Sequence, residues 1–426
     1  MNLKGFLENR FNRDAVWLTG SFAVLAVCGV ILNVVIIDRL GNEALGVFNL
    51  VYALYVILSQ VAAGGLNFSA LAYISRNRDH PEVCASITTS ALLVGVLLGI
   101  PVCVIAFLLR NVVGNLMGSQ EVAAGLTLAI PGIFFFVLNR ILLYVLNGWR
   151  SMRAFSIYNA LRFVLIIVFV LLLLRLGYTG TAMPAALTLT EIALLALLLV
   201  DVNLRLFPLW RVREMGYWSR KHFSFGVRSA VSGVLFQINT RINVLVLGYF
   251  LTEDRVGLYS FAAFLAEGIL QLVLVFRRNI DPILGECFAQ NDFERLLRVA
   301  SRVKRTFYPM MAAVAVLAGC AFPLLFQNRF PSPDDMRASW AVFGILMVGV
   351  VLSSGYRPLL GILLQGERPG LHSIFALSVV GVNFVANVIL TAAFGIFGAA
   401  AATAAIFVFE VTMLRFWSKR AFGLRI

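Results

Sequence analysis

The tightest constraint on this chain is the length of its uncharged stretches. Residues 91–109 read ALLVGVLLGIPVCVIAFLL, and residues 369–409 contain no Asp, Glu, Lys or Arg. A helix needs about 20 mainly apolar residues to cross the hydrocarbon of a bilayer, because nothing there hydrogen-bonds an exposed backbone and the helix satisfies its own. The apolar fraction of 60% and charged fraction of 13% lie far from the roughly 45–50% and 25% of a chain folded in water. The expected fold is therefore all-α and polytopic, with the bilayer as solvent.

Twelve segments meet the length and polarity test: 15–37, 46–73, 83–108, 122–146, 155–175, 180–205, 221–249, 255–282, 305–326, 338–365, 370–393 and 396–418. The opening MNLKGFLENRFNRD leads into an apolar run too long for a cleavable signal, with no small-residue cleavage site after it, so the first span is expected to stay attached. The connections on one side carry 22 Lys and Arg, among them Arg76, Arg150, Arg213 and Arg420, and those on the other carry six, Arg39, Arg110, Arg175, Arg255, Arg329 and Arg337. Positive charge stays cytoplasmic, so both termini are expected in the cytoplasm. This topology signal and attraction to anionic headgroups account for most of the net charge of +14. No segment is left over to form a nucleic-acid-binding domain.

Two halves repeat. Spans 1 and 2 join through IIDRLGNEALGVFNL, which ends at Gly46-Val47-Phe48, and spans 7 and 8 through LGYFLTEDRVGLYSF, which ends at Gly257-Leu258-Tyr259, an offset of 211 residues. Spans 5 and 6 join through GYTGTA, with Gly177 and Gly180, and spans 11 and 12 through GIFGAA, with Gly395 and Gly398, an offset of 218. Such short connections need backbone positions that glycine adopts at least cost. The predicted organisation is an N-terminal six-helix bundle over 1–205, a cytoplasmic linker over 206–220 and a C-terminal six-helix bundle over 221–426, related by an axis along the membrane normal. FERLLRVASRVKR, which begins in the linker 283–304, has apolar residues at helical spacing between arginines and predicts an amphipathic helix on the cytoplasmic surface. Cys28, Cys84, Cys103, Cys287 and Cys320 show no metal or disulfide spacing. His80, His222 and His372 are read as solvated residues at helix ends.

FSFGVRSAVSGVLFQINTRINVLVLGYFLTEDRVGLYSFA, followed by Pro282 and a basic stretch, resembles the seventh and eighth helices of the bacterial polysaccharide transporters, the lipid-linked oligosaccharide flippases. LGNEALGVFNLVYALYVILSQVAAGGLNFSALAYISR near the start, and LLFQNRF, LLGILLQGERPG and VNFVANVILTAAFGIFGAAAATA near the end, resemble the same group. The resemblance implies the multidrug and toxin extrusion fold, two six-helix bundles around a cavity that opens alternately to either side. It also implies transport of an undecaprenyl-pyrophosphate-linked oligosaccharide, of the O-antigen or exopolysaccharide kind, from the cytoplasmic to the periplasmic leaflet of the bacterial inner membrane. Members often carry Asp where this chain has Asn243, which places cation coupling at that position in doubt.

Seven arginines fall within the predicted spans: Arg140, Arg162, Arg228, Arg241, Arg277, Arg278 and Arg357. An ionisable group in hydrocarbon costs ~2.5–3.5 kcal/mol on insertion scales, so those that persist face a wet cavity or each other. All except Arg241 are expected about 6–12 Å from the cytoplasmic end, at about 1.5 Å per residue. Guanidinium stays charged and binds phosphate oxygens in pairs, which suits a diphosphate headgroup. The competing reading is that several snorkel to the interface. Arg140, Tyr144 and Asn147 share one helical face, as do Glu267, Gln271, Arg278 and Asp281, whereas Arg228, Ser232 and Asn239 share a face from which Gln237 and Arg241 diverge. These stripes line a cavity or glue helices together.

Glu191 lies 11 residues after Gly180 and Glu410 lies 12 after Gly398, so the sixth and twelfth spans carry carboxylates at nearly equivalent places. Glu191, Glu410, Glu267 and Asp281 are candidate carriers of a coupling proton or sodium ion, the alternative being an arginine partner that stabilises the bundle. With no nucleotide-binding loop, metal cluster or catalytic triad, the sequence points to a transporter and away from an enzyme, with no cofactor. The expected partners are a lipid-linked anionic glycan, membrane lipids, H+ or Na+, and a polymerase of the same pathway, with the chain itself a monomer. The alternative is a cation-coupled drug or metabolite antiporter on the same fold. A membrane glycosyltransferase is disfavoured, because loop 327–337 is too small for a catalytic domain.

Overall fold

The computed structural model describes residues 10–209 and 213–426. The side chains of Arg228, Ser232, Gln237 and Arg278 lie outside the described residues. The described chain is helical, without a strand: α1 (Arg10–Ala63), α2 (Leu66–Arg76), α3 (Pro81–Leu116), α4 (Gln120–Gly148), α5 (Met152–Arg175), α6 (Ala185–Arg205), α7 (Met215–Phe250), α8 (Glu253–Ala289), α9 (Phe293–Phe326), α10 (Pro333–Ser354), α11 (Ile362–Gln365) and α12 (Pro369–Phe422). Among the described residues, nine helical segments are long and apolar enough to cross a membrane. Two of them, Ala23–Ala63 and Gly370–Phe422, run to 41 and 53 residues, about 60 and 80 Å at 1.5 Å per residue. Each is interrupted once, at Gly41 (φ 85°) and Gly395 (φ 58°).

Gly395 and Gly177 are the first glycines of the two Gly-x-x-Gly turns, and both have the positive φ that such tight connections require, 58° and 82°. A β-carbon at either would collide with its own backbone. The second glycine of the C-terminal turn is needed for close packing, because a side chain on Gly398 would run into the carbonyl of Leu390.

The chain divides into two compact units, one of Met1–Ile36 with Val47–Arg241 and one of Ile37–Gly46 with Ile242–Ile426. In the first, α4 is the central helix and packs on α2, α3 and α6. Pro131 sits inside α4, and α6 repairs the ladder beside it. Thr188 accepts from the Gly132 N–H at 3.0 Å and donates to the Leu128 carbonyl at 2.6 Å, so its hydroxyl stands where the 132-to-128 backbone bond would be. An inserted hydroxyl of this kind satisfies freed backbone groups where water is absent. At the start of α7, His222 is fully buried, with Nδ1 2.7 Å from Ser69 Oγ on α2 and Nε2 3.0 Å from the Ile87 carbonyl on α3. This corrects the reading of His222 as solvated: Tyr73 packs against the imidazole and Trp218 against Tyr73, and the imidazole ties three helices together.

In the second unit α10 packs on α8, α9 and α12. The repeat-related glycines meet here: a side chain on Gly46 would strike the Glu253 backbone, and one on Gly257 the Asn42 carbonyl. Arg329 reaches Asp38 at 2.7 Å and ties the 327–332 loop to the same turn. The expected surface helix over 283–304 is not a separate element. The segment 283–289 ends α8, Asn291 turns the chain at φ 52°, and Asp292 caps α9 by accepting from the Arg295 N–H at 2.8 Å. From there α9 continues without a break, because Leu296, Ala300, Val303, Phe307 and Met311 form one stripe that is buried in the protein. The tenth span also ends earlier than its expected 365. The helix stops at Ser354 and the chain passes through a 3-10 turn, Arg357–Leu359, that contains Pro358.

Candidate functional site

Both units contain a buried arginine–glutamate pair built on the equivalent glutamates of α6 and α12. In the first unit Glu191 comes from α6 and Arg162 from α5, with Arg162 Nε 2.9 Å from Oε1 and a second nitrogen 3.3 Å from Oε2. Asn139 on α4 donates through Nδ2 to Glu191 Oε2 at 2.7 Å and to its backbone carbonyl at 2.8 Å. The Glu191 side chain is 2% exposed and that of Arg162 13%. Two-point pairing and an added amide donor supply the bonds that a desolvated carboxylate loses to water.

In the second unit Arg357, in the turn after α10, reaches Glu410 on α12 at 2.9 Å. Its Nε donates to Ser353 Oγ at 3.1 Å, and its guanidinium lies 4.1 Å from the centroid of the Phe407 ring. Arg277 pairs with Asp281 one turn along α8 at 3.5 Å. These two arginines face two carboxylates, so this group of charges balances.

Around Arg140 the described charges do not balance. Arg140 precedes Arg357 by 217 residues and Glu191 precedes Glu410 by 219, offsets close to the 218 between the two Gly-x-x-Gly turns. Yet Glu191 is taken by Arg162 from the neighbouring helix. Among the described residues Arg140 has no carboxylate within ion-pair distance, and its side chain interacts with the Tyr144 hydroxyl. Its guanidinium lies 5.6 Å from the Phe136 ring and 5.9 Å from the Tyr144 ring. Arg162 sits over the same Phe136 at 4.6 Å, close enough for the two cations to repel.

Aromatic contacts extend this group. Phe136 meets Tyr55 edge-on at 5.7 Å, Tyr55 stacks on Tyr52 at 6.3 Å, and Arg241 lies 5.1 Å from the Tyr52 ring. Three guanidiniums are thus strung along Tyr52, Tyr55 and Phe136 with Glu191 as their one paired carboxylate among the described residues. Ring faces attract cations without neutralising them, so the group keeps an excess of positive charge and can take up an anion of about two charges.

Most of the sequence-predicted residues are thereby placed. Arg140, Tyr144 and Asn147 are the half-exposed positions of an otherwise buried length of α4, as their spacing implied. Arg162, Arg241 and Glu191 join Arg140, while Arg357, Glu410, Arg277 and Asp281 assemble in the other unit. Glu267 is exposed on α8 and acts electrostatically on Tyr259. Asn243 donates to Thr403 Oγ1 at 2.8 Å, and Tyr259 shares that hydroxyl at 3.2 Å. The amide at 243 is engaged with protein groups. Tyr52, Tyr55, Phe136 and Asn139 were missed by sequence reasoning; Phe136 precedes Arg140 by one turn, which is the one signal that could have found it.

Comparison with known proteins gives this arrangement its family. A 25% identical relative, described as a probable low-salt glycan biosynthesis flippase Agl15 of Haloferax volcanii, aligns over 191 residues, 44% of this chain and 39% of that protein. The chain thus spans about two fifths of the length of that relative. Among solved structures, the lipid II flippase MurJ in an inward closed conformation superposes with a TM-score of 0.77 at 15% identity, over 95% of this chain and 87% of that one. An inward-facing multidrug resistance transporter of the MATE family, in the MOP superfamily, superposes with a TM-score of 0.75 at 15% identity, over 96% and 98%. These establish the fold as that of the multidrug and toxin extrusion transporters, an all-α membrane protein. The family described as polysaccharide biosynthesis protein matches residues 11–284, well over half of the sequence, and the chain belongs to that family.

Proposed function

We propose that the protein is a flippase that carries a polyprenyl-diphosphate-linked oligosaccharide, of the O-antigen or exopolysaccharide kind, from the cytoplasmic to the outer leaflet by alternating access. The observation that carries this reading is the charge imbalance around Arg140. A half-buried guanidinium with no carboxylate within ion-pair distance among the described residues is costly, and it is rational where the missing partner is the cargo. A diphosphate brings about two negative charges and several acceptor oxygens, which matches Arg140 and Arg241 beyond the Arg162–Glu191 pair. The half-exposed Tyr144 and Asn147 add polar groups on the same face of α4, suited to sugar hydroxyls.

Family membership supports a glycan cargo, and the fold is one that the MurJ flippase uses. The reading includes twelve crossings with both termini in the cytoplasm and residence in the cytoplasmic membrane, as the distribution of Lys and Arg implies. Arg357–Glu410, the balanced counterpart of the first-unit pair, is the candidate for ion-coupled rearrangement, since a proton or sodium ion on Glu410 would release Arg357. A cation-coupled drug antiporter on the same fold would favour acidic or apolar linings for cationic substrates, and the excess of arginine argues against it. Deleting the gene tests the choice: accumulation of the lipid-linked precursor in the inner leaflet is expected, and unchanged polymer output with no accumulation would exclude a flippase role.

A further inference from the structure

The second unit has an apolar groove between α9 and α10 that the arginine cluster does not explain. It encloses a cavity of about 330 Å³, lined on α9 by Ala312, Ala315 and Gly319 and on α10 by Gly344, Met347 and Val351. Its rim residues Val316 and Val348 are 65% and 58% exposed, so the groove opens away from the protein, to where lipid would lie. Each end is closed by a bond between the helices. Trp340 Nε1 donates to the Gly319 carbonyl at 2.8 Å at one end, and the Tyr308 hydroxyl donates to the Leu352 carbonyl at 3.3 Å at the other.

The Tyr308 end is cationic. Lys304, Tyr308, Ala312, Ala315 and Gly319 follow one another on one face of α9, about 22 Å from first to last at 1.5 Å per residue. Lys304 Nζ lies 5.2 Å from the Tyr356 ring, and the Arg415 guanidinium lies 5.8 Å from the same ring. Among the described residues neither cation is in an ion pair; the neighbouring carboxylate, Glu410, is held by Arg357. The groove therefore has the form of a single-tailed anionic lipid: two cations and a phenol at the inner end, then an apolar slot for one chain.

We infer that this groove first docks the lipid-linked substrate by its polyisoprenoid tail, with Lys304 and Arg415 meeting the diphosphate at the foot before it passes to the Arg140 cluster. The inference rests on the flippase reading above and adds a place for the tail. A diacyl phospholipid has two chains to seat, and a cavity of about 330 Å³ is small for both. A polyisoprenoid also carries methyl branches, and Ala312, Ala315, Gly319 and Gly344 leave hollows that branches fill and a linear acyl chain leaves void. The hollows are real space, because a β-carbon built on Gly319 or on Gly344 has no neighbour within 4 Å. Tyr356 is followed directly by Arg357 in the chain, so the foot of the groove adjoins the Arg357–Glu410 pair.

Because those glycines face open space, Gly319→Phe and Gly344→Phe should fold normally while filling the slot. The test uses the full-length protein in nanodiscs and a polyprenyl diphosphate with a photoreactive diazirine in its tail. Labelling is expected on α9 and α10, reduced about tenfold in Gly344→Phe and in Lys304→Gln/Arg415→Gln, and not displaced by excess phosphatidylglycerol. Gly344→Phe should also raise the substrate concentration for half-maximal translocation while leaving the maximal rate near wild type. Labelling elsewhere on the protein, or equal labelling by a diazirine phosphatidylglycerol, would overturn the groove assignment even if the wild type translocates substrate. Failure of the wild type to translocate would instead remove the flippase reading, so the two failures are distinct.

Discussion

At the scale of single residues, the site is governed by how charge is shared. Glu191 can neutralise one guanidinium, and Arg162, arriving from α5, takes it. Replacing Glu191 by Gln leaves Arg162 buried without a counter-charge. Breaking a buried pair by removing one partner costs about 3–5 kcal/mol, so a clearly lowered unfolding midpoint in detergent is expected. The double variant Arg162→Met/Glu191→Leu should recover much of that loss, since it removes both charges and keeps the volume; equal midpoints for wild type and Glu191→Gln would show that the pair is not desolvated. Arg140, Tyr144 and Asn147 were legible in the sequence because their common face follows from helical periodicity alone. The partnership of Arg162 with Glu191 was not, because it joins two helices, and spacing along the chain does not encode which of two nearby arginines reaches a carboxylate. His222 was misread for the same reason: its burial depends on Ser69 and Ile87, more than 130 residues away.

At the scale of elements, helices that contain proline and glycine are kept intact by their neighbours. Thr188 bridges the gap in α4 beside Pro131. Thr188→Val keeps the shape and removes the hydroxyl, leaving a donor and an acceptor unmet at about 1–3 kcal/mol. A measurable fall in unfolding midpoint is expected, restored by Thr188→Ser, and no difference between Val and Ser would argue against the bridge. Gly46 and Gly257 each meet a backbone carbonyl, so Gly46→Val or Gly257→Val should sharply lower the yield of folded protein, measured by size-exclusion chromatography. The repeat that pairs these glycines was visible as an offset of 211 residues. The true course of α9 was not, since an amphipathic stripe looks the same whether it packs on headgroups or on protein, and only Leu296, Ala300 and Val303 in their buried places decide between them.

At the scale of the whole molecule, solvent and fold class were written in composition and in the length of uncharged runs, and the family followed from loose glycine and tyrosine patterns spread over most of the chain. What composition could not reveal was that Arg357 meets Glu410 while Arg140 has no carboxylate within ion-pair distance among the described residues. Orientation is testable directly: in a cysteine-free background, Arg153→Cys should react with a membrane-impermeant maleimide only from the cytoplasmic face and Arg175→Cys only from the outside, and the reverse pattern would invert the topology. The central claim is that Arg140, which has no ion-pair partner among the described residues, exists to meet an anionic, lipid-linked cargo. Its most direct test is the transbilayer movement of a labelled polyprenyl-diphosphate oligosaccharide in proteoliposomes that contain equal amounts of folded wild type or Arg140→Gln. Translocation by the wild type and its loss in Arg140→Gln, with partial retention in Arg140→Lys, is the expected result; wild-type rates in Arg140→Gln would contradict it.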